Sequence, residues 1–467
     1  MTAHGAPHNL TRMRYVSIDP HTGEQARSFS TLEPTELRAA LASSEQAFAS
    51  WGRTSMHERA AVLRRVAAGL REQAHEHAVL MAEEMGKPVA AGRSEAEKCA
   101  WASDYYAKHA ERFLQDEPAE TEATRSYVAY RPLGPVLAIM PWNFPYWQVF
   151  RFAAPALMAG NTVLLKHAPN VPRCALRIEQ ALTDAGLPEG CFQSLFLTNA
   201  QAGAVIRNRR VRAVTLTGSV RAGRAVARQA GARIKKTVLE LGGSDPYLIL
   251  EDADVDAAAA ACVQSRLVNS GQSCIAAKRF IVLEAVRDDF VDAVVERMRA
   301  ARVGSPVQEE TEVGPQARED LRKALHEQVR ASVEKGARCL LGGEVPDGPG
   351  WYYPPTVLSD VRKGMPAYSE ELFGPVASIL TARDRAAAIR LANDTSFGLG
   401  AAVFTADVEE GERIARDELN AGCCFVNTFV RSDPRLPFGG VMDSGYGREL
   451  GRHGILEFVN VKTVWVA

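Results

Sequence analysis

Cysteine is scarce and unpatterned in this chain. Eight cysteines are spread over 467 residues, with no C-x-x-C spacing and no cluster with histidine. That excludes a disulfide scaffold and leaves no metal site to expect. The adjacent Cys423 and Cys424 in AGCCFVN read as a buried strand, and His75 and His77, two apart on a predicted helix, diverge rather than share a metal. An excess of either charge is also missing. Fifty-five basic against 56 acidic side chains leave a formal charge of −1, which removes the electrostatic case for nucleic-acid or membrane binding. The basic run RNRRVR at 207–212 then reads as a solvated turn. The opening MTAHGAPHNLTRMR lacks the apolar core of a signal peptide, so a cytoplasmic protein with reduced thiols is expected. One stretch lacks charge altogether. Residues 132–150, PLGPVLAIMPWNFPYWQVF, approach the length of a membrane span, but Pro132, Pro135, Pro141 and Pro145 break any helix there. The segment reads as strand, loop and helix start.

What is present is ordinary for a globular protein: 46% hydrophobic and 24% charged residues, in a chain long enough for two or three domains and a large core. The first hundred residues read as helices, with an amphipathic stripe over 56–85 stopped by Gly86 and Pro88. From Val136 short apolar runs alternate with helical segments: VLAIM, TVLLK, FQSLFL, AVTLTG and TVLEL, then YLIL and KRFIVL. This order predicts an α/β fold with a parallel sheet covered on both faces. Such a sheet binds ligands beyond the carboxyl ends of its strands, which draws attention to Pro141–Asn143, Lys166, Thr217–Ser219 and Glu240. Two further segments, 126–130 and the last residues of ILEFVNVKTVWVA, alternate like exposed strands that need a partner.

Three separated pieces carry chemistry together. PWNFP supplies Asn143, LELGG supplies Glu240, and NSGQSC supplies Cys274 on a polar, glycine-containing loop that suits a thiolate nucleophile. With LLKHAPNVP, TLTGSVRAG, EELFGPVAS and PFGGVMDSGYGREL, in this order over nearly the whole chain, these motifs resemble the NAD(P)-dependent aldehyde dehydrogenases. Among them the short bacterial succinate-semialdehyde dehydrogenases are the most similar. The resemblance implies that Cys274 attacks an aldehyde carbon and that the Asn143 amide and the Cys274 N–H hold the oxyanion. It also implies that Glu240 activates the water that hydrolyses the resulting thioester.

For the cofactor, NAD or NADP, the same resemblance implies contacts from Met140, Pro141, Trp142, Lys166, Thr217, Gly218, Ser219, Gly223, Leu241, Glu371 and Phe373. Gly218 and Gly223 stand five apart, so no G-x-G-x-x-G is formed; Ser219 and the helix start after it would face the pyrophosphate. Many NAD-preferring relatives place a glutamate three residues after the lysine. Here Pro169 stands there, so nothing at that position repels a 2′-phosphate.

The substrate expected is a short aldehyde, succinate semialdehyde foremost. Arg151, about a turn and a half into the helix that follows Asn143, replaces the aromatic residue common in relatives that take apolar aldehydes, and is suited to gripping a carboxylate. The competing reading is that Arg151 pairs with a nearby acid. Ser432 would donate a hydroxyl at the tunnel mouth, provided Asp433 points away, while Val268 stands where some relatives have a second arginine. The alternatives are an aldehyde dehydrogenase of other substrate range, or a catalytically silent dinucleotide-binding protein on the same fold. The expected architecture is a Rossmann-type cofactor domain over 1–115 and 132–241 and an α/β catalytic domain over 242–440. Strands in 116–131 and 453–467 form a small β flap for a homodimer or homotetramer.

Overall fold

The computed structural model describes residues 14–467; the opening segment, read above for a leader, lies largely outside them. Two open sheets and a small third one organise the chain. The first sheet runs in the order Gly445–Tyr446, Lys236–Glu240, Ala213–Thr217, Pro135–Met140, Thr162–His167, Phe192–Ser194. Its strands are parallel except for Gly445–Tyr446, which joins the edge antiparallel with Gly445 opposite Glu240. From Pro135–Met140 the chain winds outward through Thr162–His167 and Phe192–Ser194, then returns to lay Ala213–Thr217 on the other side. The order reverses between Pro135–Met140 and Ala213–Thr217, and a crevice opens at such a reversal.

The strands are parallel because they are buried on both faces: every residue of Thr162–His167 and of Ala213–Thr217 is buried. The helix Trp147–Met158 is buried on all sides, all twelve residues of it, as an apolar helix wedged between layers must be. Its first N–H groups have no cap from their own segment. They are met instead by Glu95 Oε1, which accepts from Tyr146 N and Trp147 N at 2.9 Å each.

The second sheet runs Arg338–Leu341, Thr356–Ser359, Val376–Ala382, Arg279–Leu283, Pro246–Ile249, Gly400–Phe404, Cys423–Val426, parallel but for Arg338–Leu341. Cys423 and Cys424 thus lie in an edge strand and are half-buried rather than buried. The third sheet pairs Val459–Val466 antiparallel with Arg125–Pro132, with Glu117–Pro118 on the far side. No helix among the described residues is long and apolar enough to cross a membrane.

Three local expectations are corrected. The chain opens on a hairpin, Arg14–Ile18 with Gln25–Ser30, not on helices. Its second strand, QARSFS, is largely exposed and shows no apolar alternation, so no periodic signal marks it. The stripe over 56–85 is two helices, Met56–Glu72 and Ala74–Met85, that meet at Gln73. FQSLFL is a strand only over Phe192–Ser194, because Thr198 caps the helix Asn199–Arg207 and the chain must turn toward it.

Candidate active site

The nucleophile loop is built from backbone strain held by charge. Asn269, Ser270 and Gly271 follow one another with φ of 55°, 55° and 75°, a left-handed run that only strong anchoring sustains. Each anchor is visible. Asn269 Nδ2 donates to Asn143 O (2.7 Å) and Gln272 O (3.1 Å), Ser270 Oγ accepts from Gly314 N (2.9 Å), and Arg266 Nη2 donates to Gly271 O (2.6 Å). A Cβ on Gly271 would collide with the backbone of Gly374, so the loop carrying Glu371 and Phe373 packs directly against the nucleophile loop. Past the turn, the buried Lys278 ammonium donates to the carbonyls of Ser273 (3.0 Å), Cys274 (2.7 Å) and Ala276 (3.2 Å).

Cys274 is half-buried and opens onto a cavity of about 920 Å³. Burial pushes its thiol up to about 12, with Arg151 and Lys278 pulling it down. Asn143 comes to the same place from the other sheet. Its Nδ2 donates one hydrogen to Gln272 O at 3.1 Å, which orients the amide and leaves the second hydrogen unspent. The turn that carries Asn143 is pinned by His167 at the end of the neighbouring strand. Burial holds this imidazole near 4, so it is neutral; Nδ1 accepts from Ala168 N (2.8 Å) and Nε2–H donates to Pro145 O (2.9 Å).

Glu240 ends its strand as expected, but it does not line the cavity that holds Cys274. Its side chain is buried against Gly439, and neither carboxylate oxygen accepts a hydrogen bond from the described residues. Burial raises its pKa well above the usual carboxylate range; Arg151 lowers it and Glu449 raises it further.

The remaining expected residues fall into two groups. Met140, Pro141 and Trp142, Lys166, Thr217, Gly218 and Ser219, and Leu241 stand at or just beyond the carboxyl ends of the first sheet's strands, around the reversal. Ser219 is exposed and caps the helix Val220–Gly231. Gly223 lets that helix press on Leu241, whose Cδ1 would stand 2.6 Å from a Cβ there. Glu371 and Phe373 arrive from the second sheet: Gly243 N donates to Glu371 Oε1 at 3.1 Å, and Phe373 meets Trp142 edge-on at 5.7 Å between centroids.

Arg151 and Ser432 line the cavity beside Cys274. Arg151 also meets an acid, as the competing reading asked. Its guanidinium is buried, paired through Nε with Glu449, and donates from Nη2 to Thr217 Oγ1 at 3.0 Å. Glu449 thus offsets its charge inside the protein. Glu449 lies within the quoted motif YGREL but went unremarked, because only the fold brings it beneath Arg151. Asp433 does turn to its own neighbour, bound by Arg435 at 2.6 and 2.8 Å. Lys98 and Lys278 are further cavity and loop residues that sequence reasoning missed; nothing in their local sequence marks them.

The aldehyde dehydrogenase family model matches residues 8–464. The chain belongs to the aldehyde dehydrogenase family. The enzyme is 49% identical to the succinate-semialdehyde dehydrogenase (NADP(+)) 1 of Mycobacterium tuberculosis, over 97% of this chain and 100% of that relative. A solved succinic semialdehyde dehydrogenase from Streptococcus pyogenes, in complex with NADP+, superposes with a TM-score of 0.95. It is 37% identical, over 97% of this chain and 99% of that one. An NAD-dependent aldehyde dehydrogenase from Sinorhizobium meliloti superposes with a TM-score of 0.94 at 34% identity, over 97% and 91% of the two chains.

Proposed function

We propose that the enzyme oxidises succinate semialdehyde, or a closely similar short aldehyde ending in a carboxylate, to the corresponding acid. The observation that carries the chemistry is the Asn143 amide reaching the loop of Cys274, a residue that opens onto a cavity next to the reversal of the first sheet. The relatives' activities support the substrate.

In this reading the Cys274 sulfur bonds to the aldehyde carbon as the thiol proton passes to solvent water. The free hydrogen of Asn143 Nδ2 and the Cys274 N–H hold the oxyanion; a donor of this kind is worth about 3–4 kcal/mol in the transition state. The chemistry a bound nicotinamide supplies is the two-electron oxidation of that adduct to a thioester. Glu240, turned from Gly439 toward the thioester and deprotonated, takes a proton from the attacking water, and the acid leaves as the carbon–sulfur bond breaks.

Lys166 fits a dinucleotide. It is a buried ammonium at the end of a strand, pulled down to about 8 by burial, over the Tyr15 ring at 5.7 Å and with no acid at ion-pair distance among the described residues. Together with Ser219 at the start of a helix and Pro169 in place of a carboxylate, it favours a phosphorylated ribose, and NADP is the dinucleotide we assign. The two large sheets would then serve as cofactor and catalytic units. The third sheet leaves Val461, Trp465 and Val466 exposed, which supports its pairing with a second subunit. All eight thiols are free, as a reducing cytoplasm would keep them.

The test is production of NADPH and NADH with a panel of aldehydes. Succinate semialdehyde should be the best substrate, with NADP at least matching NAD. A thousandfold preference for NAD, or indifference to the ω-carboxylate, would contradict the reading.

A further inference from the structure

The N–H of Cys274 belongs to the peptide that joins Ser273 to Cys274, and it finds no acceptor among the described residues. The other end of the same peptide is the Ser273 carbonyl, which accepts from Lys278 Nζ at 3.0 Å. The next carbonyl, that of Cys274, takes the shortest bond from the same ammonium, at 2.7 Å, and Ala276 O accepts the third at 3.2 Å. Three bonds use every hydrogen an ammonium has.

This ammonium is fixed and dry. The Lys278 side chain is 2% exposed, one residue ahead of the strand Arg279–Leu283. Its backbone N–H donates to Asp245 O at 3.2 Å and its carbonyl accepts from Ser378 N at 3.1 Å. Burial lowers its pKa, while Glu371 and Asp245 raise it. Glu371 Oε1 lies 3.6 Å from Nζ, near enough to offset the charge but too far for a hydrogen bond. Gly243 makes room for the arrangement: a Cβ there would stand 2.8 Å from Asp245 Oδ1 and 3.0 Å from Cys274 O. Closing the turn needs no cation, because Ala276 N already donates to Ser273 O at 3.2 Å. A buried charge is costly where a neutral donor would serve to tie a loop.

We infer that Lys278 is a positioning residue for the oxidation at Cys274, acting through the Ser273–Cys274 peptide on the N–H that holds the oxyanion. The role rests on the proposed oxidation and supplies what strengthens its backbone donor. A peptide is a planar conjugated unit, so electron density drawn toward its oxygen leaves its N–H more positive. A charge-assisted bond draws more than a neutral one, and it also fixes the plane in which the N–H points. No peptide among the described residues is cis, so C=O and N–H point opposite ways. Cation and oxyanion then stand at the two ends of one dipole. Lys278 also draws down the Cys274 thiol, after Arg151. The two effects are separable, because only one of them involves an oxyanion.

The experiment measures two rates at one pH in wild type, Lys278→Met and Lys278→Gln, with the melting temperature of each. The first is kcat/KM for succinate semialdehyde with NADP. The second is alkylation of Cys274 by iodoacetamide, followed as loss of NADPH production, with the site checked by peptide mass. Alkylation expels iodide and forms no oxyanion, whereas aldehyde addition does. Both need the thiolate, so a change in thiol acidity moves the two rates together. Lys278→Met should lower kcat/KM at least tenfold more than it lowers alkylation. Lys278→Gln, which keeps a neutral N–H for Ser273 O, should fall between Met and wild type. Losses in equal proportion, or none, in folded variants would make Lys278 a packing residue and overturn the inference while sparing the proposed function. If Lys278→Met does not fold, Lys278→Gln decides: a threefold excess loss in kcat/KM supports the role, and equal losses overturn it. A wild type that makes no NADPH from succinate semialdehyde, or stays active with Cys274 alkylated, would overturn the proposed function as well.

Discussion

The proposed nucleophile and the proposed base of this enzyme are held in opposite ways. The loop ending in Cys274 is tied at nearly every residue: Asn269, Ser270, Gly271, Gln272 and Ser273 each make a hydrogen bond to another segment or to a buried cation. The Glu240 carboxylate has none among the described residues, and sits against Gly439 outside the cavity. The contrast follows from what each group must do. The sulfur must meet an oxyanion donor set at fixed geometry, where an error of about 1 Å can cost a hundredfold. The base must stay clear until a thioester exists, and a side chain without hydrogen bonds gives up little on turning. Rigidity and looseness are thus divided between two residues of one reaction.

The contrast can be broken most severely at the sulfur. Cys274→Ala should abolish aldehyde oxidation while leaving NADP binding, followed by fluorescence titration, near its wild-type value. Near-normal turnover in that variant would remove the nucleophile assignment.

The next largest effect is expected at the base. Glu240→Gln should lower steady-state kcat by about 10²–10⁴, the usual span for a general base, yet still give a burst of NADPH of one equivalent per active site. Because burial raises the Glu240 pKa, its active carboxylate gains population as pH rises through that raised value. Wild-type deacylation should therefore climb with pH, and the variant should be flat. A variant without the burst would place the block before the thioester.

The smallest effect tests the strain itself. Gly271→Ala adds a Cβ at φ 75° against Gly374, and a residue forced into that region costs about 1–3 kcal/mol. We expect a lower melting temperature and a reduced kcat, with KM for NADP affected as well, because the displaced neighbour belongs to the loop of Glu371. Unchanged stability would mean the loop is less tightly determined than its contacts suggest.

Much of this was legible locally. Apolar runs of strand length between helical segments, with strand ends at Met140, Lys166, Thr217 and Glu240, lie within a few residues of the observed ones. Parallel strands buried on both faces must be written almost wholly in apolar residues, and that leaves a continuous signal. The opening hairpin left little, because its second strand is largely exposed and half-buries only Ser28 and Phe29. Cys274, Asn143 and Glu240 were identifiable by motif, since their chemistry constrains the residues flanking them.

The ion pair of Arg151 was not legible. Its sequence shows a guanidinium on a helix near the oxyanion residue, and that much holds. Whether the charge is available depends on what approaches it, and Glu449 comes from nearly the end of the chain, close to the strand that edges Glu240. Lys98, which also lines the cavity, is the converse case: one of two lysines on the helix Val89–Phe113, made distinctive only because the acids around it find other partners. The sequence by itself determined the fold class and singled out the proposed reacting groups, because both are set by side-chain type and short-range spacing. Which charges near Cys274 are offset and which are not was decided by the tertiary structure alone, since the net charge of a site is a sum over groups that only folding brings within reach of one another.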